Sequence, residues 1–176
     1  MNLKDFYDYK NQFFEDVLTN EKLVKLINEN KTLETAGELA YTQLFPYKFI
    51  PETIEHGHTY ICCDVDVEAS STNSRARSGS STRLFYRPII YIWILVHKSK
   101  LRLPEGGVRY DVIASEIADT INESLYYGIN GLQLYSAKWF SPLTDYQGKV
   151  LSFTTDDYNW QFDYNRSIPS NRKAGF

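Results

Sequence analysis

The sequence Leu84-Phe-Tyr-Arg-Pro-Ile-Ile-Tyr-Ile-Trp-Ile-Leu-Val-His97 is the longest uninterrupted run of β-branched and aromatic residues in the chain, and it predicts a central β-strand. From position 89 onward both alternating sets of side chains are apolar, so we expect both faces of the strand to be covered in a layered fold. Pro88 has no backbone N–H, and regular pairing on that side is therefore expected to begin just after it.

Apolar residues spaced three and four positions apart predict helices on both sides of this strand. The predicted helical segments are 5–18, a short helix within 21–30, 33–44 and 108–125. The last is the clearest, with one apolar stripe formed by Tyr110, Ile113, Ile117, Ile121 and Leu125. A helix with one apolar stripe is expected to cover one face of a sheet.

A period of two predicts a strand over 59–68, with Ile61, Cys63, Val65 and Val67 facing inward and Cys62, Asp64, Asp66 and Glu68 facing outward. Two further strands are predicted at 132–140 and 150–155, joined by a loop over 141–148. The element order predicts an α+β fold, with a mainly antiparallel sheet covered by helices. We predict a single domain over 1–157, in which residues 1–44 are helical, followed by a C-terminal extension over 158–176.

A Ser-rich segment without large apolar residues separates the first two strands and predicts a long, flexible β-hairpin arm over 69–83. It carries Arg75, Arg77 and Arg83. One interpretation is a solvated loop kept soluble by charge. The other is an arm that becomes ordered on a neighbouring subunit, where arginines pair with carboxylates such as Asp64.

Composition limits the classes of function. The net charge of −3 argues against a protein that coats nucleic acid, since nonspecific phosphate binding needs clustered positive charge. The aromatic fraction of 15%, with 14 Tyr, is typical either of contact surfaces or of sheet cores. The extension alternates Trp160, Phe162 and Tyr164 with polar residues and then carries Arg166, a pattern that predicts binding to a subunit or partner.

The sequence predicts a protein of the cytoplasm, or of something assembled there, without a membrane segment. No stretch resembles a signal peptide, and the apolar run 89–96 is too short to span a bilayer as a helix. Cys62 and Cys63 are adjacent, and neighbours on a strand point to opposite faces, so we predict two reduced, buried residues.

Motifs for catalysis are weak. Gly106-Gly107 and 128–131 lack the spacing and the lysine of a phosphate-binding loop. His56 and His58 lack further ligands nearby in the sequence, so exposed loop histidines are predicted in preference to a metal site. Asp64, Asp66 and Glu68 form a row that is more typical of a polar sheet face than of a metal-dependent nuclease. No metal, cofactor or catalytic residue is predicted.

The order of the elements, with Asp111-Val-Ile-Ala-Ser-Glu-Ile-Ala-Asp-Thr-Ile-Asn122 in the helix and Val150-Leu-Ser-Phe-Thr-Thr-Asp-Asp157 in the last strand, resembles the tail-terminator and head-tail connector proteins of tailed bacteriophages. The resemblance covers 59–157. It implies a non-enzymatic structural virion protein that is assembled in the host cytoplasm. Such a protein forms a hexameric ring at the neck and contacts connector and tail tube proteins.

In such rings DNA passes through the lumen without specific binding, and the lumen is often acidic. The resemblance therefore implies that the row of Asp64, Asp66 and Glu68 lines the lumen. It also implies that the arm and the extension contact neighbouring subunits or rings. The alternative function is a small metal-dependent nuclease or hydrolase that uses the same acidic face.

Overall fold

The computed structural model describes residues 3–51, 57–76, 79–122, 127 and 131–154. Its helices are α1 (Leu3–Thr19), α2 (Glu21–Ile27) and α3 (Arg109–Ile121), with 3₁₀ helices at Leu33–Leu39 and Lys98–Lys100. Its strands are β1 (Leu44–Phe45), β2 (Thr59–Ala76), β3 (Gly79–His97), β4 (Gln133–Leu143) and β5 (Tyr146–Thr154). Within these residues the sheet has the order β1-β2-β3-β5-β4, and only the β1–β2 pair is parallel. The predicted α+β fold with a mainly antiparallel sheet is confirmed.

The break between α1 and α2 is fixed by Asn20, whose side chain contacts two helices. Its Oδ1 accepts hydrogen bonds from the backbone N–H groups of Lys22 and Leu23, each at 3.1 Å, and so caps α2. Its Nδ2 donates to Glu116 Oε1 in α3 at 3.2 Å. One asparagine therefore starts α2 and joins it to α3.

The predicted central strand is β3, and it begins at Gly79, before the apolar run. Pro88 lies opposite Val67 on the β2 side, whereas pairing with β5 starts at Ile89. The Oγ1 of Thr154 donates to the carbonyl oxygen of Pro88 at 3.2 Å. The expectation that pairing on one side begins just after Pro88 is confirmed.

One face of the sheet, here called the helix face, carries the main core. Ile90, Ile92, Ile94 and Val96 of β3 are at most 1% exposed. They form one cluster with residues of all three α-helices, of which Phe13 and Ile117 are examples. The predicted apolar stripe of α3 is confirmed for its three isoleucines, which are fully buried, whereas Tyr110 is half-buried against the cluster. Leu125 of the predicted stripe lies outside the described residues.

Two predicted segments differ from the structure. The segment 33–44 is a 3₁₀ helix followed by β1, because Tyr41 takes a positive φ of 60° and the chain then runs parallel to β2. Buried Gln43 holds this turn, donating to the carbonyl oxygens of Ile27 at 3.3 Å and Thr59 at 3.0 Å. The segment 141–148 is a tight turn at 144–145, since β4 and β5 extend into it.

The expectation that both faces of the sheet are covered is wrong for the described residues. The other face, here called the open face, is covered only at one end. There Phe45, Tyr60, Leu95 and Tyr146 form a small second cluster, with Phe49 packed against it. Farther along β3, Tyr91 and Trp93 are half-buried. The helices of the described residues all pack on the helix face, because their apolar stripes meet the more aliphatic set of β3.

None of the helices in the described residues combines the length and the apolar character needed to cross a membrane.

Candidate interaction surface

The open face presents a groove along β3, β5 and β4. Residues directly opposite one another on paired strands share a face, and Tyr91 lies opposite Asp64 and Ser152, while Trp93 lies opposite Cys62 and Val150. The groove has a volume of about 360 Å³. Its lining residues are Glu68, Ile89, Tyr91, Tyr135, Ser136, Lys138, Trp139, Phe140, Val150 and Ser152. Such a mixed aromatic and polar lining is typical of a surface that contacts other polypeptide.

Aromatic rings bound one end of the groove. The rings of Phe45 and Phe49 stack with their centroids 4.2 Å apart, and those of Tyr91 and Trp93 stack at 5.7 Å. The Nζ of Lys48 lies 5.7 Å from the ring centroids of both Trp93 and Phe140. These are cation–π distances, so the cation is held over the aromatic surface.

Burial raises the pKa values of two tyrosine hydroxyl groups in the second cluster, at the covered end of the open face. It raises the pKa of Tyr146 to about 12, and the neighbouring Tyr60 hydroxyl adds to the effect. The pKa of Tyr60 is also raised by burial. Both phenols are therefore neutral at physiological pH and act as hydrogen-bonding groups within the cluster.

The two cysteines are free and buried, as predicted. Burial raises the pKa of the Cys62 thiol to about 11 and raises that of Cys63 still further. Each thiol is therefore protonated at neutral pH and is a poor nucleophile. Cys63 belongs to the core of the helix face, and Cys62 belongs to the cluster of the open face.

The acidic row on β2 is not a set of three equivalent carboxylates. Asp64 accepts a 2.6 Å hydrogen bond from Lys10 Nζ in α1, and the same ammonium donates to the carbonyl oxygen of Pro46 at 2.9 Å. Asp66 and Glu68 are exposed. Among the residues that the structure describes, no group of three or more His, Cys, Asp or Glu residues is placed to hold a metal ion.

The histidines lie differently from the prediction. His58 is half-buried, and its carbonyl oxygen accepts a 3.3 Å hydrogen bond from the backbone N–H of His97. The prediction of an exposed loop is therefore wrong for His58, which the β2–β3 pairing draws against the end of the central strand. His56 lies outside the described residues. Sequence spacing alone does not reveal that His58 and His97 are neighbours, because the two positions meet only through the register of the sheet.

The predicted arm takes the form of a two-stranded antiparallel ribbon. Strands β2 and β3 stay paired from Val67–Pro88 to Ala76–Gly79. Strand β5 pairs with β3 only from Ile89 onward, so this part of the β2–β3 ribbon extends beyond the β3–β5 pairing. Arg75 lies opposite Ser80, and Arg83 lies opposite Thr72. Arg77 lies outside the described residues, as do Trp160, Phe162, Tyr164 and Arg166 of the predicted contact set.

Among the described residues, the sheet has two edges without a further strand partner, which sequence patterns did not identify. On one side, β1 pairs only with Ile61 and Cys62, so in the described residues β2 from Cys63 onward has a strand partner only at β3. On the other side, β4 is the edge strand, and it exposes Tyr135 and Trp139 to 68% and 65%. Edge strands with exposed aromatic residues are templates for pairing with another chain.

In the part of the chain that the structure describes, these features define a two-layer α+β protein with a protruding hairpin arm, two different sheet edges and an aromatic groove. The chain belongs to the YomW family, whose model matches residues 20–155. That family is phage-derived, of the SPbeta-like prophage type, so the chain is a phage-associated protein. No curated protein matches this sequence.

Proposed function

We propose that this phage protein is a structural virion component that forms a ring at the head-tail junction, as a tail terminator or head-tail connector. The ring would join the tail to the head-side neck, and the protein would have no catalytic role. Connector and tail tube proteins would be its neighbours. The observation that carries the proposal is the hairpin arm that extends beyond the sheet.

The arm is expected to need a second surface. From the Val67–Pro88 pair to the Ala76–Gly79 pair the ribbon extends about 30 Å, taking ~3.3 Å per residue. An isolated two-stranded hairpin is marginally stable in water at best. Beyond the Val67–Pro88 pair, the ribbon has large apolar residues only at 84–86, near its base, and none between 69 and 83, so the side chains of its outer part add little core. A neighbouring subunit that receives the arm would supply the missing contacts.

The sheet edges favour a ring over a two-fold dimer. In the described residues the outer edges of β2 and β4 differ in sequence, with acidic residues on β2 and exposed aromatic residues on β4. A contact between two different edges is heterologous, and repeated heterologous contacts close into a ring when the rotation permits. A hexamer is the ring order that the resemblance to neck proteins implies.

The exposed carboxylates would face the lumen of this ring. Asp64 pairs with Lys10, and Asp66 and Glu68 are exposed, so Asp66 and Glu68 would contribute to the negative potential of the lumen. An acidic wall repels DNA phosphates, which lets DNA pass without binding. A ring structure in which these two side chains are buried at a subunit contact would contradict this placement.

Electron microscopy and native mass spectrometry of the full chain test the ring. We expect rings of defined subunit number in the full-length protein. Replacing residues 73–82 by Asn-Gly shortens the arm and keeps the Thr72–Arg83 pair as its last register pair. This variant is expected to stay folded, with an unchanged circular dichroism spectrum, and to lose the ring.

The matched control changes the other hairpin of the sheet. Replacing Thr144 and Asp145 by Asn-Gly alters the β4–β5 turn without touching the arm, and rings are expected to persist. Rings that survive shortening of the arm would show that the arm does not hold the assembly. A full-length protein that remains monomeric at high concentration would contradict the proposed ring itself.

The absence of catalysis is tested separately. The protein is incubated with plasmid and Mg²⁺ or Mn²⁺, alongside the Asp64→Ala variant. No cleavage is expected from either protein. Metal-dependent cleavage by the parent that the variant loses would overturn the structural role in favour of a nuclease.

A further inference from the structure

We infer that His58 and His97 form a binding site for a divalent transition-metal ion that prefers imidazole ligands, such as Zn²⁺, Ni²⁺ or Cu²⁺. The two histidines lie opposite each other where β2 begins and β3 ends. The backbone N–H of His97 donates to the carbonyl oxygen of His58 at 3.3 Å, which continues the register that pairs Thr59 with Val96. The two histidines are therefore at one end of the β2–β3 ribbon, and the arm is at the other.

The register places both side chains on the open face of the sheet. His58 is two positions before Tyr60, and His97 is two positions after Leu95, and both of these neighbours belong to the second cluster. The ring centroid of His58 lies 6.2 Å from that of Tyr60. The ring centroid of His97 lies 5.2 Å from that of Tyr146 in the same cluster. Both imidazoles therefore pack at the covered end of the open face.

Two residues that lie directly opposite on antiparallel strands are close enough to bind one ion. Their Cβ atoms are about 4.5–5.5 Å apart. An imidazole nitrogen binds Zn²⁺ at about 2.0–2.1 Å, so two nitrogens of a tetrahedral site are about 3.3 Å apart. Imidazoles on Cβ atoms at this spacing can reach the same ion through side-chain rotation alone. The sheet therefore fixes the backbone of the site before any ion binds.

The contacts of His97 leave its Nε2 for the ion. Its Nδ1 lies 2.8 Å from the Oγ of Ser99 and 3.3 Å from the backbone nitrogen of the same residue. Its Nε2 is buried and has no hydrogen-bond partner among the described residues. A ligating histidine usually donates its other ring N–H to a supporting group. When Nδ1–H donates to the exposed Ser99 hydroxyl, Nε2 presents its lone pair, and water can accept from the backbone N–H of Ser99.

Glycine at position 57 permits this placement of the His97 ring. A Cβ on Gly57 would stand 2.9 Å from both the Nδ1 of His97 and the Oγ of Ser99. A larger residue would therefore displace the imidazole or its supporting hydroxyl. The backbone at Gly57 and the ring of Tyr146 both restrict the imidazole, and a side chain that is already held loses less entropy when it binds.

Two histidines are a partial set of ligands. Within the described ranges no third His, Cys, Asp or Glu joins them in a metal-binding group, so water would complete the coordination. Imidazole does not suit Mg²⁺ or Ca²⁺, which prefer oxygen ligands. The site is therefore chemically distinct from the acidic row on β2. A bound ion would join the start of β2 to the end of β3 and stabilise the ribbon that carries the arm.

Isothermal titration calorimetry of the full-length protein, without a histidine tag, tests the site. We expect one Ni²⁺ or Zn²⁺ ion to bind per chain and no comparable heat with Mg²⁺. His58→Gln and His97→Gln should each weaken binding by more than about tenfold, which is the effect of losing only a supporting hydrogen bond. The matched control is His56→Gln, at the third histidine of the chain, and it should bind like the parent. No binding by the parent, or an equal loss in the control, would overturn the inference.

Pulsed electron paramagnetic resonance of the parent with Cu²⁺ counts the imidazole ligands without any substitution. We expect the echo modulation of two imidazoles, and a spectrum of one imidazole or none would overturn the pair. This measurement keeps the inference testable if either glutamine variant fails to fold. In a variant that keeps its circular dichroism spectrum, the modulation should fall to that of one imidazole.

Thermal unfolding separates the metal site from the proposed ring. Excess Ni²⁺ should raise the melting temperature of the parent, because an ion that binds the folded chain stabilises it. An equal rise in His97→Gln would overturn the assignment. The arm-shortened variant keeps both histidines and should show the same rise as the parent, whether or not rings form. Loss of the ring and loss of the metal site are therefore observed in different measurements.

Discussion

The two faces of the sheet are built from the same strands and differ in what covers them. On the helix face, Ile90, Ile92 and Ile94 are at most 1% exposed beneath α1, α2 and α3. On the open face, the residues between them, Tyr91 and Trp93, are half-buried and line a groove. A shift of one position along β3 therefore moves a residue from the core that provides stability to a surface available for contacts.

The largest effect is expected where the strands approach most closely. A Cβ on Gly148 would stand 1.6 Å from the carbonyl oxygen of Ile94. Gly148→Ala must therefore displace β5 from β3, and we expect a loss of about 3 kcal/mol or more in the free energy of unfolding. Urea denaturation measures it. Gly37→Ala is the control, because a Cβ there meets no atom within 4 Å, and it should change stability little.

The next effect compares adjacent residues on the two faces. Ile92→Ala creates a cavity in the main core and is expected to lower the free energy of unfolding by about 3 kcal/mol. Trp93→Ala removes a larger side chain from the half-covered face and should cost only about 1 kcal/mol. Urea denaturation measures both losses in the free energy of unfolding. Equal losses would show that both faces contribute equally to stability and would contradict the proposed difference between them.

A smaller effect compares two tyrosine hydroxyl groups. The hydroxyl of Tyr127, buried in the main core, donates to Asp16 Oδ2 at 2.7 Å, and burial raises its pKa. Tyr127→Phe is expected to lower the free energy of unfolding by about 1 kcal/mol. Tyr91→Phe, on the open face, should stay within about 0.5 kcal/mol of the parent. Thermal unfolding followed by circular dichroism measures both, and the reverse order would contradict the comparison.

The smallest effect concerns the ion pair that joins α1 to the acidic row. The Lys10 Nζ and Asp64 Oδ1 atoms are 2.6 Å apart, and the side chain of Asp64 is 42% exposed. A double-mutant cycle of Lys10→Met and Asp64→Asn should give a coupling free energy below about 1 kcal/mol, weaker at high salt. Asp66→Asn, paired with the same Lys10→Met, provides the uncoupled control. A coupling above about 2 kcal/mol would contradict the view that this row contributes little to the fold.

The fold was predictable wherever a local pattern decides it. The alternation in β3 and the isoleucines of α3 are local signals, and both elements are present, although β3 begins earlier than predicted, at Gly79, and α3 ends earlier, at Ile121. The parallel strand β1 was missed, because two residues carry no periodicity and its pairing depends on the contacts of Gln43. The β4–β5 turn was misplaced because Gly148 was interpreted as a turn residue, whereas it permits close approach of two strands.

The interaction surface was only partly predictable. The exposure of Asp66 and Glu68 followed from period two, but the pairing of Asp64 with Lys10 depends on where α1 crosses the sheet. The edge exposure of Tyr135 and Trp139 also depends on strand order, which no local pattern contains. The meeting of His58 and His97 has the same cause, since the register joins positions far apart in sequence.

The adjacent thiols provide the protein with two internal probes. Cys62 belongs to the cluster of the open face and Cys63 to the core of the helix face, and both are 0% exposed. A buried, protonated thiol is alkylated only when its surroundings open. The two alkylation rates, separated by peptide mass spectrometry, would therefore report the opening of each layer independently, without any substitution. Neighbouring residues would thus record how often each side of the same sheet is exposed to solvent.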